Sequence, residues 1–551
     1  MLEANLVNLF DQKITYARIS VANGRIDRID PLGPERPGEP YVLPGFVDAH
    51  VHVESSLLTP PQFARLAVVH GTVATVSDPH EIGNVLGVAG VEYMITEGKR
   101  VPFKFMFGAP SCVPATPFET AGATITPQDV RYLLGLNEIG YLAEVMNFPG
   151  VLNGDADMLA KIALAKAVNK PIDGHAPGLM GDDAQRYIEA GITTDHECFT
   201  YEEGLDKARR GMQILIREGS AARNFDTLIP LLDAFPKQVM FCSDDKHPDT
   251  LAMGHIDQLV RRALAQGQSL WNVLRAACLN PVLHYRLPVG LLREGDPADF
   301  IVVDSLTDFH IQRTVINGKT VAEHGLSAIP DLRSEHVNQF GCSPITPDQL
   351  AILAEPGTTQ IRVIEALDGQ LVTNELRVDA PIVDNRIVPD PTQDVLKLVV
   401  VNRYKDAPPS VGFIKNFGLT QGAIASSVGH DSHNITAVGC DDDSICRAIN
   451  LVIGARGGLS AVSGNDPDDD HLLALPVAGL MTDTDGYAVA ARYAALDTYA
   501  KQELGSTLSA PFMTLSFMAL LVIPSLKLSD LALFDGNRFS FTPLQLNGSG
   551  N

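Results

Sequence analysis

The stretch FVDAHVHV, residues 46–53, decides the fold. It is a short apolar run ending on His50 and His52. Residues two apart on a strand point to the same side, so these imidazoles can grip one cation. The same texture returns seven times: TVATVSD (72–78), FKFMFG (103–108), YLAEVMN (141–147), KPIDGH (170–175), TTDHE (193–197), QILIRE (213–218) and QVMFCSDD (238–245). Parallel strands covered on both faces read as continuous apolar runs, and helical stretches separate these. Eight repeats predict an α/β chain with a (β/α)8 TIM-like barrel over residues 44–285.

Chemistry-bearing residues fall at the ends of the runs. Glu144, His175, His196 and Asp244 join His50 and His52, and their spacing tests the barrel. From His52 to Glu144 is 92 residues, to His175 a further 31, to His196 a further 21 and to Asp244 a further 48. Taken as three, one, one and two βα units, these steps place the ligands on strands 1, 4, 5, 6 and 8, converging on one mouth. Four imidazoles and two carboxylates exceed what one catalytic cation needs while keeping a position open for water. A centre of two divalent ions follows. Glu144 can bridge them, and a hydroxide forms at neutral pH because the ions lower the pKa of bound water. Imidazole and carboxylate without thiolate suits Mn, Fe(II) or Zn. Asp78 and His80, in the DPHE that follows the second run, are additional ligands or supports; the competing reading is a solvated loop or helix cap. Asp244 and Asp245 should differ in role if the strand continues through them, one holding metal and the other substrate.

The flanks form a second unit. Residues 1–42 read as strands around Asn23-Gly24, followed by the linker PLGPERPGEP, and residues 290–325 repeat the pattern around Asn317-Gly318. The segments 1–43 and 286–325 are therefore expected to pair into one small β domain. Beyond Leu326 a mixed α/β texture appears, with strand-like KLVVVNRY, a turn region holding GHDSHN and a helix near 444–454, giving a further domain over 340–551. The boundary falls between 326 and 355.

The 551 residues carry 42 Lys and Arg against 66 Asp and Glu, a formal charge of −24. That repels nucleic acid and anionic membranes, so neither is an expected partner. Seven cysteines with no C-x-x-C pair read as reduced thiols of a cytoplasmic protein, and the acidic start is unlike a secretory signal. The apolar stretch 510–524 is too short to span a membrane and reads as core. An H-x-E occurs at His52, but the P-C-x-x-C of zinc nucleoside deaminases is absent. So are G-x-S-x-G, the P-loop and a strand-linked G-x-G-x-x-G.

PGFVDAHVHVESS (44–56), SDPHEIGNVLG (77–87), LAEVMNFPGV (142–151), DGHAPGL (173–179), IREGSAARN (216–224), CSDD (242–245) and GHDSHNI (429–435) resemble the adenine deaminase branch of the amidohydrolase superfamily. The resemblance runs nearly the length of the chain. It implies that His50 and His52 bind one metal, His175 and His196 the other, that Glu144 bridges where many relatives use a carboxylated lysine, and that Asp244 is the strand 8 aspartate. It also implies a homodimer acting on a small purine base. On that basis the expected reaction is hydrolysis of adenine to hypoxanthine and ammonia, in purine salvage. The metal-activated hydroxide attacks C6, Asp244 accepts its proton, Glu81 delivers a proton to ring nitrogen, and Asp245 and Ser220 hold the purine edge. His430 and His433, in GHDSHN, are expected to reach the base if the carboxy-terminal domain lays that loop over the mouth; otherwise it is a polar turn capped by Asp431 and Asn434. A cyclic amidohydrolase, a deaminase of another aminopurine and a non-catalytic interaction protein are the alternatives.

Overall fold

Apolar runs without alternation become parallel strands whose faces are both covered. In a computed structural model that describes residues 1–220, 222–464 and 467–547, the eight runs form strands in two parallel sheets. Phe46–Val51, Thr72–Ser77, Lys104–Ala109, Ile139–Val145 and Ile172–Gly174 pair in sequence order in a five-stranded sheet. Thr194–Asp195, Gln213–Arg217 and Val239–Cys242 form a three-stranded one. Backbone bonds join them at both edges: Asp244 N–H donates to the His50 carbonyl at 2.9 Å, and Thr193 N–H to that of Ile172 at 2.8 Å. Helices between the strands begin on local caps. Thr126 and Asp129 form a reciprocal capping box, and Asp155 and Thr200 accept from backbone N–H groups three residues on.

The two flanks share one antiparallel sheet. Phe300–Val303 pairs with Tyr41–Pro44, which lies beside Leu2–Asn8. Asn23-Gly24 and Asn317-Gly318 turn their hairpins with φ of 51° and 75°, and 47° and 74°, the left-handed pair that a two-residue turn requires. The Pro-rich linker begins later than expected, because the strand Arg25–Pro34 continues through Pro31 and Pro34. It is an edge strand with register shifts along its pairing, the setting in which proline is tolerated.

Residues 328–346 contain no regular element, and a nine-stranded sheet follows. KLVVVNRY supplies its strand Leu396–Val401, and the helix Asp442–Ala455, capped by Asp441, packs on the strands Ala423–Ser426, Ile435–Gly439 and Gly458–Val462 of the same sheet. This region docks on the parallel sheets through backbone bonds, Thr59 N–H to the Thr482 carbonyl and Thr482 N–H to that of Leu57. The helix Gly486–Gln502 packs on Pro248–Met253. Residues 510–524 are core, with Phe512, Met513, Leu515, Phe517 and Leu520 all buried. Among the described residues no helix is long and apolar enough to cross a membrane. All seven cysteines are unpaired thiols.

Candidate metal centre

Five of the eight parallel strands end by delivering side chains to one buried cluster. His50 Nε2 lies 3.3 Å from His52 Nε2 and 3.4 Å from Asp244 Oδ1. His52 Nε2 lies 3.2 Å from both Asp244 Oδ1 and Glu144 Oε1. Donors held about 2.0–2.2 Å from a tetrahedral cation stand about 3.4 Å from one another, so this set fits a divalent ion. On the other side of the same carboxyl, Glu144 Oε2 meets His175 Nδ1 at 2.7 Å and His196 Nε2 at 3.4 Å. His175 Nε2 is buried without a hydrogen-bond partner. Glu144 thus faces an imidazole pair with each oxygen, the disposition of a bridge.

Electrostatics keep the carboxylates anionic. Burial alone would push Glu144 up, but hydrogen bonds from His175 and His52 overcome it and hold the carboxyl well below its usual range. Burial also opposes ionisation of Asp244, and the Arg217 guanidinium, donating to Asp244 Oδ2 at 2.6 Å, prevails. Arg217 also grips Glu197, whose Oε1 stands 3.5 Å from His196 Nε2. His52 is oriented from behind, with Nδ1 at 3.1 Å from the Asp78 carbonyl oxygen. Asp78 accepts the Glu144 and His80 backbone N–H groups.

The carboxy-terminal region supplies the rest of the wall. His430 Nδ1 and His433 Nε2 each lie 2.5 Å from an oxygen of Glu81. Burial would raise the Glu81 carboxyl, yet His430, His80 and His433 hold it well below its usual value. His430 is moved the opposite way: burial disfavours its charge, but Glu81 and Asp245 bring its pKa up to about 9. Its ring stacks on Phe517 with centroids 4.5 Å apart. Leu371, Phe517 and Leu520 form the apolar side of a small cavity whose polar side is the histidine and carboxylate cluster. The arrangement can hold cations against one face of a flat ring and exchange protons at its edge.

A family model described as "Amidohydrolase family" matches residues 41–321, and one described as "Adenine deaminase C-terminal domain" matches 370–540. Proteins named adenine deaminase from Sulfurovum sp. and Salinibacter ruber are 56% and 55% identical to this chain, covering 98% of it and 98% of themselves. One from Methanosarcina mazei is 50% identical with the same coverage.

The chain belongs to the adenine deaminase family of amidohydrolases.

Against that family assignment, His50, His52, Glu144, His175, His196 and Asp244 come together, as do Glu81, Asp78, His80, Asp245, His430 and His433 around them. Ser220 does not join them. Its hydroxyl accepts from the His247 N–H at 2.9 Å and meets Thr250 Oγ1 at 2.9 Å, so it ties its loop to the segment that follows the eighth strand. Alternation does not separate Asp244 from Asp245, because the strand stops at Cys242 and Asp244 has φ of 55°. Both face the cavity, Asp244 toward His50 and His52, Asp245 toward Ser55 and His430. The 429–434 loop is buried in full. Sequence reasoning missed Glu197 and Arg217. Glu197 directly follows His196, and Arg217 is a cation inside an apolar run, which was the available signal.

Proposed function

We propose that this protein hydrolyses adenine to hypoxanthine and ammonia, as part of purine salvage, at a centre of two divalent cations. The observation that carries the reading is that a chain matching adenine deaminases over 98% of its length buries four histidines and an aspartate around the Glu144 carboxylate. His50, His52 and Asp244 with Glu144 Oε1 would hold one cation, and His175 and His196 with Glu144 Oε2 the other. Such ions supply Lewis acidity and bring the pKa of water near neutral.

The chain's own groups handle orientation and protons. In the balanced reaction the oxygen of water ends on C6, the exocyclic C–N bond breaks, and the protons of water go one to ring nitrogen and one to the departing amine. Asp244, fixed by Arg217, accepts the first proton through Oδ1. The Glu81–His430 pair, 2.5 Å apart, shares a proton and delivers it to ring nitrogen. Asp245 holds the purine edge, Leu371, Phe517 and Leu520 cover its face, and the 429–434 loop excludes water. Asp78 and His80 support Glu144 from behind.

On this reading the two parallel sheets are one closed (β/α)8 barrel over 44–285, supported by the backbone bonds at both edges. Segments 1–43 and 286–325 form the small β domain, and 340–551 an adenine-deaminase-type domain that closes the mouth. The ions are manganese, with Fe(II) and zinc as alternatives, and the protein works as a cytoplasmic homodimer. Ammonia release from adenine by metal-loaded protein, with hydantoin-like rings as controls, tests the assignment. Turnover of the cyclic amide but not of adenine would overturn it.

A further inference from the structure

Lys527 lies in the strand Leu526–Leu528 and is 0% exposed. No carboxylate pairs with it among the described residues; burial alone acts on the ammonium and pushes its pKa down to about 7. A buried charge without a counter-ion is costly, and an apolar side chain of the same length would fill the space. What the ammonium gains is two backbone carbonyls, Leu371 O at 2.7 Å and Phe517 O at 3.0 Å. Phe517 directly follows the helix Pro511–Ser516, and its carbonyl, which also accepts from Leu520 N–H at 3.2 Å, has a second lone pair for the ammonium.

Both residues that Lys527 ties line the cavity. They come from segments far apart in sequence, and the strand carrying Lys527 is itself stitched to the Leu371 segment. Thr373 N–H donates to the Pro524 carbonyl at 3.1 Å, and Thr373 Oγ1 donates to that of Leu526 at 2.8 Å. The bond to Phe517, together with Leu528 N–H donating to the Met518 carbonyl at 3.1 Å, fixes the segment that carries Phe517 against the one that carries Leu371.

We propose that Lys527 is a positioning residue for substrate, holding Leu371 and Phe517 in register as the apolar wall against which the flat base lies. The inference rests on the reading of the cavity as an adenine site. A wall that touches the ring face contacts substrate and transition state alike, so its disorder weakens binding without slowing the chemical step.

The test uses the full-length, metal-loaded protein with Lys527→Met, Lys527→Gln, Phe517→Ala and the Met/Ala double variant. Wild-type turnover of adenine in the same assay judges the functional reading by itself. Hypoxanthine binding by calorimetry reads the wall without requiring turnover. Lys527→Met should keep metal content, raise KM and the hypoxanthine Kd about tenfold, and leave kcat within about threefold. On the Phe517→Ala background the same change should add little, because the lysine acts through that residue. Wild-type KM and Kd in folded Lys527→Met or Lys527→Gln would overturn the proposal. So would additive effects in the double variant, or failure of both single variants to fold, which would make Lys527 a general structural residue.

Discussion

Glu119 lies beside Asp431 and Ser432 of the loop that lines the cavity, and its removal has a calculable effect. The carboxyl is buried and accepts from Thr116 N–H and Oγ1, with Asp431 and Asp530 nearby. Burial first, then Asp431, pushes its pKa from 4.5 up to about 8. A carboxyl with a raised folded-state pKa binds more protons in the folded state than in the unfolded one across that interval. Stability therefore falls as pH rises from about 4.5 to about 8, and is level outside it. Each pH unit is worth about 1.4 kcal/mol, so the full interval amounts to about 5 kcal/mol. Glu119→Gln keeps an acceptor for Thr116 and cannot ionise. Relative to wild type it should be near-neutral at the acid end of the interval and more stable by about 3–5 kcal/mol at its basic end. Urea unfolding followed by circular dichroism at several pH values reads the difference. A gap that does not widen with pH would refute the burial argument.

Three further outcomes follow from the site. Arg217→Met removes the cation between Glu197 and Asp244, leaving buried carboxylates uncompensated; it should cost about 3–5 kcal/mol of stability, checked by denaturant midpoint. Asp244→Asn should abolish turnover, whereas Asp245→Asn should keep metal and weaken substrate use by about 1–3 kcal/mol, read from kcat/KM with metal analysis; equal metal loss in both would remove the division of roles. His433→Ala and His430→Ala should leave a folded, metal-bearing protein that has lost most adenine turnover, and wild-type kcat and KM in both would reduce the 429–434 loop to a structural turn.

The parts of this molecule that were legible in the sequence are those where burial leaves a one-dimensional trace. Each of the eight parallel strands is covered on both faces, so TVATVSD or QVMFCSDD is apolar without alternation, and the residue at its end is read with it. The hairpins at Asn23-Gly24 and Asn317-Gly318 declare themselves because few residues tolerate positive φ. Arg217 stands out as a cation in an apolar run, but its meaning depends on Glu197 and Asp244, which lie at the ends of other strands. Leu371, Phe517 and Leu520 look like any core residues; only long-range packing turns them toward the cavity. Ser220 differs for the converse reason, since a hydroxyl in the loop after Gln213–Arg217 is bonded to His247 and Thr250 of the next loop and helix, a long-range pairing that sequence does not show. The strand through Pro31 and Pro34 was lost because proline marks a break unless one knows that the strand is an edge.

Glu144, facing His50 and His52 with one oxygen and His175 and His196 with the other, is proposed to organise a two-cation centre that deaminates adenine. Metal content per chain and ammonia release from adenine, measured together on wild type and Glu144→Gln, test it directly. Wild type should carry two divalent ions per chain and release ammonia. The amide offers one poor ligand oxygen in place of two anionic ones, so Glu144→Gln should lose both metal and turnover, and His50→Ala and His175→Ala should follow it. Retention of two ions and near-normal ammonia release in Glu144→Gln would contradict the account.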